Sequence, residues 1–241
     1  TLTSANTAAF GLGLGSATGS TDVINLTLNA SASIDSSNGG AISVTSVEQV
    51  NVTANDSDTT ATNATADAAD TLTLTDATST DVLNTVVVAG NALSLNLALT
   101  ESTAISNLDG SAFKGALTAT LVSTVAATVT GGVGADVLTG GTKADAINGG
   151  AGDETFYIDK GLDVITDLGA GGSADVLIVL TGGATATATA TGSWTATVAS
   201  TNGGTGESTA VIHAAGNTVN LAAVTVGSGW TIDTVAAANI T

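Results

Sequence analysis

Short runs in which apolar and polar residues alternate recur along the first half of the chain: VINLTL at 23–28, ISVTSV at 42–47, VNVT at 50–53, TLTLT at 71–75, and further runs at 82–88, 93–99 and 117–122. A period of two sends successive side chains to opposite faces, the pattern of a half-buried β-strand. Gly, Asn, Asp or Ser bounds each run, as at Asn38-Gly39, Gly90-Asn91 and Asp109-Gly110, and these residues favour turns. β-Branched Thr, Val and Ile fill the runs, and apolar residues at i, i+3, i+4 are nearly absent, so the chain is predicted to be all-β.

A tetrapeptide made of Asp, a small apolar residue, Ile or Leu, and Asn or Thr recurs from Asp22, Asp81, Asp136, Asp145 and Asp163, with a relative opening at Asp175. An acidic turn residue followed by a strand suggests stacked strand-turn units. The spacing is irregular before residue 130, so a β-solenoid and a β-sandwich both remain open for residues 1–130. The longest charge-free run, between Asp175 and Glu207, alternates Ala with Thr and is dense in Gly, which is strand chemistry and not that of a membrane-crossing helix.

Composition narrows the function. The 241 residues carry a formal charge of −18, with Lys114, Lys143 and Lys160 as the only strong bases. No basic patch exists to neutralise phosphates, which excludes nucleic-acid binding as a main function, and an anionic membrane surface would repel the chain. The absence of Cys removes disulfides, thiolate metal sites and thiol catalysis. Aromatic residues make up 2% of the chain against 43% hydrophobic, so the core must be built from aliphatic side chains. The sequence starts at Thr1 with no basic stretch leading into an apolar one, so it has no signal-peptide pattern and is compatible with a piece of a longer chain.

Between residues 131 and 172 the composition shifts, with twelve of the 30 Gly in this stretch. In frames of nine it reads GGVGADVLT, GGTKADAIN, GGAGDETFY, IDKGLDVIT. Position 6 holds Asp136, Asp145, Glu154 and Asp163; position 8 holds Leu138, Ile147, Phe156 and Ile165. This predicts a coil of two nine-residue halves, in which Gly permits a tight turn, the last three residues form a short strand, the large residues stack inward and the carboxylates stack outward on the turns. Stacked carboxylates repel, so a hard cation is expected between turns, and oxygen-only ligands suit calcium.

These frames resemble the repeat-in-toxin (RTX) family of calcium-binding β-rolls, whose pattern is GGxGxDxUx with U large and apolar. The first frame matches throughout. Lys143 then stands in place of Gly, Glu154 in place of Asp, and Ile158-Asp159 in place of Gly-Gly. The stretch GLDVITDLGAGGSADVLIVL at 161–180 is similar to the end of such arrays, with three residues inserted before the register resumes. The resemblance covers about 50 residues and implies that each ion is shared by one turn and the turn two frames later. One site would join Asp136 and the carbonyls of Gly131 and Val133 to Gly150, Gly152 and Glu154, with Asp153 as a substitute carboxylate. A second would join Asp145 and the carbonyls of Gly140 and Thr142 to Asp159, Gly161 and Asp163, with the nearby Lys143 opposing the ion. A third would pair Gly149 and Ala151 with Gly171, Ser173 and Asp175.

Other constellations are weaker. Residues 55–70 cluster carboxylates, offering a further calcium site through Asp56 and Asp58 or a solvated acidic loop. Asn25, Asn51 and Asn63 open Asn-x-Ser/Thr triplets, which are expected by chance in so Thr-rich a chain. Thr185, Thr187, Thr189 and Thr191 share one face of a strand. His213 is the sole imidazole and is expected to be packed in an apolar strand. No HExxH or GxSxG motif is present, and few groups could stack or clamp a sugar, so the chain is not expected to be an enzyme.

The Thr- and Ala-rich segments, including VEQVNVTANDSDTT at 47–60 and TLTLTDATSTDVLN at 71–84, look like the strand repeats of RTX-type surface-layer (S-layer) proteins of Gram-negative bacteria. The expectation is an all-β chain in three parts: a Thr/Ala-rich short-strand region at 1–130, solenoid or sandwich; a calcium-binding parallel β-roll at 131–180; and a C-terminal β region at 181–241 containing a type I secretion signal. Family resemblance implies a secreted structural protein of the cell surface that self-assembles, with calcium bridging subunits, into a lattice. Its partners would be further copies of itself and, through another region, cell-surface polysaccharide, with no nucleic acid and no membrane insertion. The C-terminal part of a secreted adhesin, or of an exported hydrolase, is the alternative.

Overall fold

The computed structural model describes residues 10–13, 21–30, 38–56, 70–76, 82–172, 174–180, 183–203, 208–225, 227 and 229–233. Asp58, Asn63, Asp81, Ser173 and the tail after Asp233 lie outside them.

Strands alternate between two parallel sheets as the chain advances. The nine-strand sheet contains, in spatial order, β1 (Phe10–Gly13), β3 (Asn38–Thr45), β5 (Asp70–Thr75), β7 (Ser94–Thr100), β9 (Ala116–Leu121), β11 (Val137–Thr139), β13 (Thr155–Ile158), β15 (Val176–Val179) and β18 (Thr201–Asn202). The ten-strand sheet contains β2 (Val23–Ala30), β4 (Gln49–Asp56), β6 (Thr85–Gly90), β8 (Asn107–Phe113), β10 (Thr128–Thr130), β12 (Ala146–Asn148), β14 (Leu162–Leu168), β16 (Thr185–Ala190), β19 (Thr209–His213) and β21 (Trp230–Asp233). A small pair, β17 (Trp194–Thr195) with β20 (Val219–Asn220), sits apart.

This is a parallel β-solenoid, all-β with no helix among the described residues, so no helix is long and apolar enough to cross a membrane. The sandwich alternative for the first 130 residues gives way. Alternating patterns fit either architecture, but each connection here crosses to the other sheet and every strand pair is parallel. Pairing continues through residues 130 and 180, from β9 to β11 and from β14 to β16.

The core lies between the sheets as columns of stacked side chains. Ile24, Val50, Val86, Leu108, Val129, Ile147, Ile165, Ala188 and Ile212 form one column in register, all buried. Leu72, Leu97, Ala119, Leu138, Phe156 and Leu177 form another on the facing sheet. The large residues at position 8 of the nonapeptides therefore stack inward as expected. Near the C-terminal end β16 turns only Ala186, Ala188 and Ala190 inward. The buried Trp194 lies here, 6.3 Å from Trp230 between ring centroids, with its Nε1–H donating to the Asp175 carbonyl at 2.8 Å.

Two nonapeptides make one coil. Thr128 pairs with Ala146 and Ala146 with Val164, and equivalent residues are 18 apart. Glu154 and Asp175 are 21 apart, the three inserted residues entering between Asp167, still 18 from Gly149, and Asp175. Upstream coils are longer and uneven: Val23 pairs with Gln49, and Gln49 with Thr85. This places the tetrapeptide at 81 out of register with that at 22, because it is Asn84, not residue 81, that precedes the strand start aligned with Val23.

Candidate metal centres at the two seams

The sheets meet along two seams, and the acids of the nonapeptide array divide between them. Turns leading from the ten-strand to the nine-strand sheet carry Asp136, Glu154 and Asp175. The return seam carries Asp145, Asp159 and Asp163.

Position 6 carboxylates do not stack outward as expected. Asp136, Asp145, Glu154, Asp163 and Asp175 are all at most 2% exposed. The cause lies in the stacking of coils: backbone N–H groups at the strand starts need acceptors, and an acid on the next coil provides one. Asp136 Oδ1 accepts from Leu117 N–H at 2.7 Å, Asp145 Oδ1 from Ala127 N–H at 2.7 Å, Asp163 Oδ1 from Asp145 N–H at 3.0 Å, and Asp175 Oδ1 from Glu154 N–H at 3.0 Å. Each of these four carboxylates thus ties its coil to the preceding one.

The two seams differ in what the remaining oxygens do. On the first, Asp136 Oδ2 accepts from Gly132 N–H at 2.5 Å and Asp175 Oδ2 from Gly169 N–H at 2.6 Å, so both oxygens of each acid have a backbone donor. Glu154 Oε1 is buried without a hydrogen-bond partner. Burial, with the charges of Asp175, Asp136 and Asp167 nearby, pushes the Glu154 carboxyl up to about 8. Burial also raises Asp136, to about 6, against the lowering effect of its two backbone donors. Asp153 is exposed and accepts from Ala174 N–H at 3.1 Å, so Glu154 is the carboxylate that enters the seam.

Among the other first-seam residues, Gly131 N–H donates to the Asn148 carbonyl and Val133 N–H to the Phe113 carbonyl. Gly150 lies over the Gly132 carbonyl, Gly152 over that of Gly134, and Gly171 over the backbone of Ala151. Gly149 N–H and Gly150 N–H both donate to Asp167, at 2.9 and 2.8 Å. Sequence reasoning passed over Asp167. It opens the fifth nonapeptide frame, where the first three have Gly, and an acid at that position was the available signal.

On the return seam, Oδ2 of Asp145 and Oδ2 of Asp163 are both buried with no hydrogen-bond partner. Burial raises the Asp163 carboxyl to about 7, with Asp145 and Asp159 adding repulsion, and it raises Asp145 and Asp159 as well. Gly140 sits against the Asp145 carboxylate, where a Cβ would lie 2.6 Å from Oδ2. Gly161 has a φ of 93° and lies over the Lys143 carbonyl with no room for a side chain. Thr142 N–H and Oγ1 both bond the Ser123 carbonyl, at 3.1 and 3.2 Å. The Lys143 side chain is exposed.

The chemistry of the return seam fits a hard cation. Two buried carboxylate oxygens on adjacent coils have no donor, and leaving such charges unpaired is costly. Calcium takes six to eight oxygens at about 2.3–2.6 Å, supplied by carboxylates and main-chain carbonyls together. Asp145 and Asp163 would hold the ion, with Asp159 and the surrounding carbonyls completing an oxygen-only set. The first seam offers one such oxygen, on Glu154. The third expected site offers none among the described residues, because both Asp175 oxygens are bonded to backbone. Among the described residues no three acidic or imidazole side chains form a ready-made cluster, so any ion here depends on carbonyls as well.

Outside the seams, His213 is not packed inside its strand. It faces outward, with Nδ1 3.0 Å from Asp233 Oδ2. Asn25 and Asn51 stack in an amide ladder, Asn51 Nδ2 donating to Asn25 Oδ1 at 2.8 Å. Comparison of the chain with protein-family models, with curated proteins and with solved structures finds no match.

Proposed function

We propose that this chain is a calcium-stabilised structural solenoid of the RTX type, exported and assembled at the cell surface as part of an S-layer lattice. The observation that carries the reading is the pair of partnerless buried oxygens on Asp145 and Asp163, on coils stacked directly in register. Calcium bound there supplies the positive charge that the seam lacks. The protein's own contribution is to fix the two carboxylates by their Oδ1 hydrogen bonds and to exclude water from the seam.

Magnitude supports a folding role. Extracellular calcium modules bind at roughly 10⁻⁴ to 10⁻³ M. An ion at ten times its dissociation constant adds about 1.4 kcal/mol per site, a useful fraction of a domain's roughly 5–15 kcal/mol. Inside a cell, where calcium is scarce, the seam carboxylates repel and the array is kept loose for export. Outside, calcium closes it.

Charge supports the assembly role. Copies at −18 repel one another, and divalent cations lower that barrier. The test is the full chain titrated with calcium. Thermal stability rises and light scattering reports ordered assemblies visible by electron microscopy. Persistent monomers at millimolar calcium would overturn the lattice and favour the adhesin class, and an unchanged melting temperature would overturn calcium binding.

A further inference from the structure

The acidity of this protein is unevenly placed, and one face escapes it. Side chains alternate in and out along the nine-strand sheet, and from β3 to β18 none that points outward, among the described residues, is charged; Asp70 at the start of β5 is buried. The opposite sheet turns Asp109 and Asp233 outward, and the seams hold the nonapeptide acids.

The uncharged face has relief as well. One outward column runs in register through Ala41, Thr73, Ala98, Thr120, Thr139, Tyr157, Ile178 and Thr201. At Ala98 the surface dips into a depression of about 300 Å³ walled by Thr73, Asn96, Thr118 and Thr120. Two strands beyond Thr120 in the same column stands Tyr157, the bulkiest outward residue of the sheet.

We propose that this face is where two copies of the chain meet, sheet against sheet, about a twofold axis that runs along the strands between β9 and β11. The proposal rests on the self-assembly reading and names its contact. A twofold interface is self-complementary, each residue meeting its counterpart's partner. This axis reverses the order of coils and keeps position along the strand, so Ala98 of one copy faces Tyr157 of the other, and Thr120 faces Thr139. The bulge enters the dip twice. Eight strands about 4.8 Å apart and roughly five residues wide give about 600–700 Å² per copy, close to the ~800 Å² of a standard interface. For a second copy at −18, this is the face that sets no carboxylate against a carboxylate.

The experiment is sedimentation of the full chain in millimolar calcium, with folding checked by circular dichroism. Ala98→Lys and Tyr157→Asp each weaken association about 30-fold or more, as for a central contact. The double variant sets Lys against Asp across the axis and recovers to within roughly tenfold of the parent. Thr187→Lys, on the other sheet, changes nothing. Thr120→Lys with Thr139→Asp is a second pair should the first fail to fold. If the parent associates and the single variants match it, or the double is no better than the singles, the contact is wrong while self-assembly stands. If the parent stays monomeric, both fall.

Discussion

Asp163 Oδ1 accepts the backbone N–H of Asp145 at 3.0 Å, and the second oxygen of each carboxylate is buried without a partner. Half of each group is thus structural, stapling one coil to the previous one, and half is left as unsatisfied negative charge. Separate substitutions can distinguish the two roles.

Asp145→Asn and Asp163→Asn keep a carbonyl oxygen for the N–H and remove the charge. Stability in chelator is expected to hold or rise, because a buried charge has been deleted. The gain on adding calcium should shrink by about 1.4 kcal/mol at tenfold excess over the dissociation constant. Denaturant melts with and without calcium measure both.

Acidity should act oppositely with and without calcium. The folded-state values of Asp136, Asp163 and Glu154, about 6, 7 and 8, lie above their ordinary values of 3.8, 3.8 and 4.5. Below pH ~4 both folded and unfolded chains hold these protons, and the native state has its full stability. As pH rises the unfolded chain ionises first, so stability in chelator falls until about pH 8. Calcium binds the ionised form, so in its presence stability should rise over the same window. Melting curves at pH 5 and pH 8, with chelator or calcium, should show that crossing.

Gly161→Ala puts a Cβ onto the Lys143 carbonyl at a φ of 93°. A loss above about 1 kcal/mol is expected in chelator as well as in calcium, together with a weaker calcium response. Thermal unfolding under both conditions tests it.

Asp76 performs the structural half alone. It is buried, and its Oδ2 accepts from Val82 N–H at 2.8 Å and Leu83 N–H at 3.1 Å, in a coil far from the array. Asp76→Ala should cost about 2–4 kcal/mol by stranding two donors, and Asp76→Asn much less. Neither should alter the calcium-induced gain, as measured by the same melts.

Much of this was legible in one dimension. Alternation in TLTLT and SLNLALT marks which residues face in, and the frames ending in Leu138, Ile147, Phe156 and Ile165 mark half-coils of nine, because strand and turn geometry are local. Position 6 was recognisable as acidic for the same reason. Its direction was not: Asp136 turns inward because Leu117 and Gly132 present N–H groups there, and Leu117 is brought to it by stacking. Asp167 was overlooked because its partners, Gly149 and Gly150, belong to the coil before.

The sequence by itself determined an all-β chain of short strands, a nine-residue acidic array and a core built from aliphatic side chains, since periodicity and composition are properties of neighbours along the chain. Only the tertiary structure decided between solenoid and sandwich, left Oδ2 of Asp145 and of Asp163 without a donor, and gathered Ala98, Thr120, Thr139 and Tyr157 into one uncharged column. Each of these depends on which coil lies on which, and parallel stacking joins residues some twenty positions apart through hydrogen bonds that an alternating pattern does not encode.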